Sequence, residues 1–165
     1  MPIAGGEPAA RLKMYWQRGY MWQESSREEW YCLQCRDTCT IGKKLEIDDC
    51  SRSLRQQFVR VTGDLSIRPA MSGDLCAEHQ GIADLIEGEA TLRLQYCNNS
   101  TRQQFKIVGT PWQTDGKFEI QPISLRSNNN PTCLTQAHHP RPLEDIFPQR
   151  CDRARFFTTS YWTVY

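Results

Sequence analysis

Apolar and polar residues alternate along much of this chain in short runs: Lys44-LEIDDC, Gln56-QFVRV, Leu65-SIRP, Ala90-TLRLQYC, Gln103-QFKIV and Phe118-EIQP. A two-residue period turns one side of a segment to a core and the other to water, which is the signature of a β-strand. Gly, Asn, Ser and Pro separate the runs, and no stretch keeps a helical period beyond one or two turns. The pattern predicts an all-β chain.

The runs also repeat. SLRQQFVRV at Ser53 to Val61 returns as STRQQFKIV at Ser100 to Val108. Extended outward, Cys50-SRSLRQQFVRV-TGDLSIRP aligns with Cys97-NNSTRQQFKIV and, after an insertion, with GKFEIQP at 116–122. Phe58 and Phe105 each follow their cysteine by 8 residues, and a worn third copy, Cys151-DRARFF, keeps the cysteine and an aromatic, Phe156. Successive first cysteines (Cys32, Cys76, Cys133) are 44 and 57 residues apart, and last ones (Cys50, Cys97, Cys151) 47 and 54. The period is therefore about fifty, and about four strands per copy makes about twelve strands, the number in a β-trefoil. The expected layout is an N-terminal extension over 1–13 and a single trefoil domain over 14–165, with repeats near 14–62, 63–108 and 116–162. Phe58, Phe105 and Phe156 are expected at the shared axis, because a lone copy has nothing to bury its aromatic against.

Composition narrows the setting. Twenty basic residues face 19 acidic ones over 165 positions, interspersed, so neither a nucleic-acid groove nor an anionic membrane surface is indicated. No window approaches the roughly 18 consecutive apolar residues of a membrane-spanning helix. Eight cysteines, an even number, read as a disulfide framework and an oxidising compartment. The start, MPIAGGEPAARLKMYW, has no charged segment followed by an apolar run, so a leader is expected to be missing from this sequence, or the chain to be an excised domain. Asn98-Asn99-Ser100 and Asn99-Ser100-Thr101 are overlapping glycosylation sequons at Asn98 and Asn99, in keeping with secretion. Thiolates at Cys32, Cys35, Cys39 and Cys50 have a spacing that could surround one zinc ion, although Cys76, Cys97, Cys133 and Cys151 hold matching places as lone pairs and argue against it.

These residues resemble the ricin B-type β-trefoil lectins. That family carries Cys-Leu in the second strand of each repeat, a cysteine closing the third and Gln-x-Trp in the fourth; the matches here are Cys32-Leu33, Cys133-Leu134 and Cys76-Ala77, then Cys50, Cys97 and Cys151, then Gln56-Gln57-Phe58 and Gln103-Gln104-Phe105. The resemblance covers roughly 14–162, with Phe in place of Trp and Ala154-Arg155-Phe156 in the third copy. It implies bridges Cys32 to Cys50, Cys76 to Cys97 and Cys133 to Cys151, leaving Cys35 and Cys39 to join across CRDTC. It implies a non-catalytic secreted module that binds a glycan or glycoprotein and needs no cofactor or metal.

In that family a sugar site needs an acid two positions after the first cysteine, an aromatic platform, and Asn or Gln just before Gln-x-Trp. The acid accepts hydrogen bonds from two hydroxyls while the ring stacks on the sugar. Here the acid places hold Gln34, Glu78 and Thr135, and the places before the motif hold Arg55, Arg102 and Arg153. Glu78 is the carboxylate that qualifies, with Tyr96 or Trp112 as platforms, Arg102 as neighbour and ion-pair partner, and Trp22, beside Tyr20 in QRGYMWQE, as a further contact. The three arginines are otherwise expected to brace a carboxylate or carbonyl. His138 and His139 in AHHPRP lack a nearby nucleophile, and Asp84, Glu87 and Glu89 match no calcium loop. Two other readings stand beside the lectin: a trefoil with decayed sugar sites acting as a protein-binding scaffold or assembly subunit, and a hydrolase inhibitor presenting the loop 136–149.

Overall fold

A computed structural model describes residues 5–15, 31–81, 91–109, 118–127, 129–135, 143–152 and 161–164. The strands are β1 (Leu12–Tyr15), β2 (Tyr31–Cys35), β3 (Leu45–Asp49), β4 (Phe58–Val61), β5 (Ser66–Pro69), β6 (Leu75–His79), β7 (Leu92–Tyr96), β8 (Phe105–Gly109), β9 (Phe118–Pro122), β10 (Arg126–Ser127), β11 (Asn130–Thr135), β12 (Glu144–Asp145), β13 (Phe147–Arg150) and β14 (Tyr161–Val164). Short 3-10 turns cover Leu54–Gln56 and Thr101–Gln103. Among the described residues no helix is long and apolar enough to cross a membrane.

Six strands close into a barrel. Antiparallel ladders join β4 to β5, β8 to β9, β1 to β14 and β14 to β9. The Phe105 N–H donating to Leu65 O (2.9 Å) ties β8 to the start of β5, and the Ala10–Phe58 bridge completes the circuit. Three hairpins, β2–β3, β6–β7 and β11–β13, cap one end. They meet in a triangle of backbone bonds: Leu94 N–H to Lys43 O (2.9 Å), Leu92 N–H to Ile146 O (3.0 Å) and Ile146 N–H to Leu45 O (3.2 Å). Strand groups at the junction thus find partners away from water, and Leu45, Leu92, Leu94 and Ile146 fill its centre. The molecule is a β-trefoil.

The threefold register explains the repeated aromatic. Phe58 lies opposite Pro69 and beside Ala10; Phe105 lies opposite Pro122 and beside Leu65. The third position with this pair of neighbours is Trp162, opposite Met14 and Phe118. All three rings are at most 1% exposed, and burying each is worth about 2–3 kcal/mol. Trp162 therefore holds the place that the worn copy Cys151-DRARFF assigns to Phe156, which lies outside the described residues. Its indole N–H donates to Leu134 O (3.2 Å), satisfying the polar edge that Phe lacks.

The expected extension over 1–13 also needs correction. Gly6 and Ala10 bridge to Val61 and Phe58, and Leu12 and Lys13 begin β1, so residues 6–13 belong to the barrel. Leu12 is fully buried at a place equivalent to Ile67 and Ile120, which supplies the reason: the alternation starts before residue 14. Four bridges staple the cap: Cys32–Cys50, Cys76–Cys97, Cys133–Cys151 and Cys35–Cys39. A zinc site on Cys32, Cys35, Cys39 and Cys50 is excluded, since no thiolate remains. The same holds for Glu119, Cys133 and Cys151, whose ligand atoms cluster but whose sulfurs are bonded to each other.

Candidate functional site

The duplicated Ser-x-Arg-Gln-Gln-Phe phrase builds a fixed corner. Ser53 Oγ accepts from the Arg55 N–H and Ser100 Oγ from the Arg102 N–H, each at 3.2 Å, capping the two 3-10 turns. Each turn drives the first glutamine inward. Gln56 is 1% exposed; its Nε2 donates to Asp49 O (2.9 Å) and Gln34 Oε1 (3.1 Å), and its Oε1 accepts from the Ser51 N–H (2.8 Å). Gln103 is 2% exposed; its Nε2 donates to Tyr96 O (3.0 Å) and Glu78 Oε2 (3.0 Å), and its Oε1 accepts from the Asn98 N–H (3.0 Å). In both units this glutamine ties the residues flanking the last cysteine to the side chain two places after the first. The second glutamine links units through its carbonyl, Gln57 O to the Ala70 N–H and Gln104 O to the Ile123 N–H.

The three acid places have different fates. Gln34 is buried and donates to Glu46 Oε2 (2.6 Å); Arg36 Nε donates to Glu46 Oε1 (2.6 Å), and Arg36 Nη2 reaches Asp145 Oδ1 (2.7 Å), which Lys44 also approaches through Oδ2 (3.4 Å). The hydrogen bond to Glu46, with the charges of Asp145, Glu46 and Asp37, holds the Arg36 guanidinium above its usual pKa despite burial. This network seals the first unit's place. Thr135 is fully buried and brings no carboxylate to the third.

In the second unit Glu78 is half-buried on β6, with Oε2 fixed by Gln103 and Oε1 without a partner among the described residues. Arg93 lies directly across on β7 and donates Nη1 to Gly42 O (3.1 Å); Gln95, opposite Cys76, shares that face. A shallow surface notch with no room for a water molecule, lined by Asp64, Ser66, Cys76, Asn99, Ser100, Gln103 and Gln104, adjoins the corner.

The structure brings together Glu78, Gln103 and the exposed Arg102, but Arg102 does not pair with Glu78; Gln103 takes that role. Tyr96 is 60% exposed, yet its register with Leu75 puts it on the opposite side of the hairpin from Glu78. It joins the corner through its carbonyl. Of the bracing arginines, Arg55 donates Nε to Cys35 O (3.0 Å). Trp22, Trp112, Tyr20, Asp84, Glu87, Glu89, His138, His139 and Arg153 lie outside the described residues. Asn98 and Asn99 are exposed, Asn98 Oδ1 accepting from the Ser100 N–H (2.9 Å). Within the loop 136–149, Glu144–Asp145 and Phe147–Arg150 are strands paired to β3 and β11, and Ile146 to Pro148 are buried, so this half is not an exposed inhibitory loop.

One group went unread in the sequence. His79 ends β6 and is 3% exposed, edge-on to Phe105 with ring centroids 6.5 Å apart; Nε2 lies 3.4 Å from Ser124 Oγ, and buried Nδ1 has no partner among the described residues. Burial, then the Arg102 charge, push its pKa below the usual histidine value, with Glu78 opposing. The alternation in LCAEH, with Leu75 and Ala77 inward, was the available signal.

No family model and no curated protein matches the chain. Solved structures do. The β-trefoil lectin of the Vibrio vulnificus hemolysin/cytolysin, with N-acetyl-D-lactosamine bound, matches at TM-score 0.61 and 14% identity over 94% of this chain and 92% of that one. A mosquitocidal holotoxin matches at TM-score 0.67 and 12% identity over 95% of this chain, which spans 17% of the toxin's. The designed threefold-symmetric protein ThreeFoil matches at TM-score 0.65 and 13% identity over 94% and 96%. At such identity the likeness is one of fold.

Proposed function

We propose that this β-trefoil is a non-catalytic carbohydrate-binding module of ricin B-like type, working outside the cell or in a secretory lumen, with its site in the second unit. The observation that carries the reading is the Glu78 carboxylate: Gln103 fixes one oxygen and leaves the other for a ligand hydroxyl, on the outer face of a disulfide-closed hairpin. A preset acceptor loses little freedom on binding. The likeness in fold to a lectin with N-acetyl-D-lactosamine bound supports the ligand class. Four bridges support an oxidising compartment, where the Asn98 and Asn99 sequons would stand exposed. The test is a glycan array followed by calorimetric titration of a hit. Binding lost on Glu78→Gln and kept on Gln34→Ala supports the reading; a hit that survives Glu78→Gln moves the site elsewhere.

The sealed first place and the threonine in the third favour a second reading, a trefoil whose sugar sites have decayed and which serves as a scaffold for protein partners. A silent array together with a stoichiometric protein partner on purification selects it.

A further inference from the structure

Arg55 and Arg102 occupy the same position in two copies of one phrase, and their side chains behave differently. Arg55 is half-buried and bonded to Cys35 O, as a bracing residue should be. Arg102 is exposed, and its side chain makes no hydrogen bond or ion pair among the described residues, although Ser100 anchors its backbone as firmly as Ser53 anchors that of Arg55. It is next in sequence to Gln103, which holds Glu78. Thr101, the residue before Arg102, accepts from Ser124 Oγ (3.2 Å), and that hydroxyl lies 3.4 Å from His79 Nε2, so the turn that carries Arg102 sits beside this end of β6.

Two arginines thus flank Glu78 in the fold, Arg93 across the hairpin and Arg102 on the turn that carries Gln103. Arg93 stands directly across the hairpin from Glu78 and binds Gly42 O through one nitrogen. A neutral sugar offers a guanidinium uncharged oxygens alone. An unengaged planar guanidinium beside such a site matches the carboxylate or sulfate of an acidic sugar through paired N–H donors.

Resting on the lectin reading above, we propose that the second-unit site takes an acidic glycan: Glu78 accepts from a ring hydroxyl and Arg102 grips an anionic substituent on the same or the adjoining sugar. The shared chemistry is an oxyanion on a saccharide, and sialic acid and sugar sulfates are its two sources.

The experiment titrates the intact protein with N-acetyllactosamine, its sialylated form, its 6-sulfated form and inorganic sulfate alone. The expected result is binding at least about tenfold tighter for one or both acidic forms than for the neutral one, weakened as salt screens the pair. Arg102→Ala should bring the acidic form down to the neutral level, with the fold checked by Tm at about pH 8, above the range in which His79 titrates. Arg102→Lys should recover part of the preference, keeping the charge without the fork. Neutral and acidic forms bound equally, with Arg102→Ala silent, overturns this inference and leaves the lectin reading standing. Sulfate alone binding as tightly as the sulfated sugar also overturns it, since the oxyanion would then need no saccharide. No binding of any glycan overturns the lectin reading and this inference together.

Discussion

Gln103 Nε2 lies 3.0 Å from Glu78 Oε2 and 3.0 Å from Tyr96 O, so one buried amide fixes both the hairpin's end and its outward carboxylate. Gln56 makes the corresponding bonds to Gln34 and Asp49 O. The phrase is written twice because the corner is built twice, and fold and site share the same side chain.

Replacing that amide by a hydrocarbon of similar size separates the two duties. Gln56→Leu strands the buried Gln34 Oε1 and removes the amide from the Ser51 N–H and the Asp49 carbonyl, and a buried polar group left unsatisfied costs about 1–3 kcal/mol. A loss of about 2–4 kcal/mol is expected, seen as a fall of about 5–15 °C in Tm. Gln103→Leu should destabilise equally and also abolish glycan binding, because Glu78 loses its anchor. Thermal unfolding and calorimetry on the two variants check both halves; equal binding by Gln103→Leu and the parent would sink the second.

Trp162 is expected to tolerate Phe better than its burial suggests. Phe already fills the equivalent positions 58 and 105, so Trp162→Phe should cost about 1–2 kcal/mol, mainly the Leu134 hydrogen bond and a small void. Trp162→Ala should cost about 3–5 kcal/mol. Chemical denaturation of both variants would decide it, and a loss for Phe as large as for Ala would contradict the threefold equivalence.

How much of this was legible depends on the distance over which each feature is encoded. Alternation and the repeated Gln-Gln-Phe are local, and they carried the strands and the trefoil; the cysteine pairs came from the resemblance to the ricin B-type lectins. Reading Cys151-DRARFF as the third copy misplaced its aromatic: Phe156 follows Cys151 by 5 residues and Trp162 by 11, where Phe58 and Phe105 follow theirs by 8; register is set by pairing across strands, and connecting lengths vary without changing it. The seal on the first unit joins Arg36 to Asp145 across 109 residues and left no local trace. The role of Arg102 as an ion-pair partner of Glu78 followed from nearness in the fold, but a buried glutamine between them had the better geometry.

The bridges should contribute unequally. Cys32–Cys50, Cys76–Cys97 and Cys133–Cys151 span 18, 21 and 18 residues, and Cys35–Cys39 spans 4. Loop entropy gives about 3 kcal/mol for each of the longer three and about 2 kcal/mol for the short one. Paired Cys→Ala variants compared by denaturant midpoint test this order. The ranking is contradicted if removing Cys35–Cys39 proves the most damaging.

Acid should loosen the second unit through His79. The groups facing it are Glu78 on its own strand, Arg102 on the 3-10 turn, and Ser124 and Phe105 from the neighbouring strands and turn. Burial and then the Arg102 charge lower its folded pKa, so the unfolded chain, with a histidine pKa of about 6.5, takes up the proton first. Stability is therefore complete above about pH 6.5, falls as pH drops towards the folded pKa, and levels off below it. Asp64 acts in a separate window: burial alone would raise its carboxyl, but bonds from Ser66 and Arg68 hold it below the usual value, so its contribution is lost only below about pH 4. His79→Gln keeps a polar side chain of similar size and removes the titration. Its Tm should vary less than the parent's between about pH 8 and about pH 5; identical slopes in the two proteins would remove His79 as the cause.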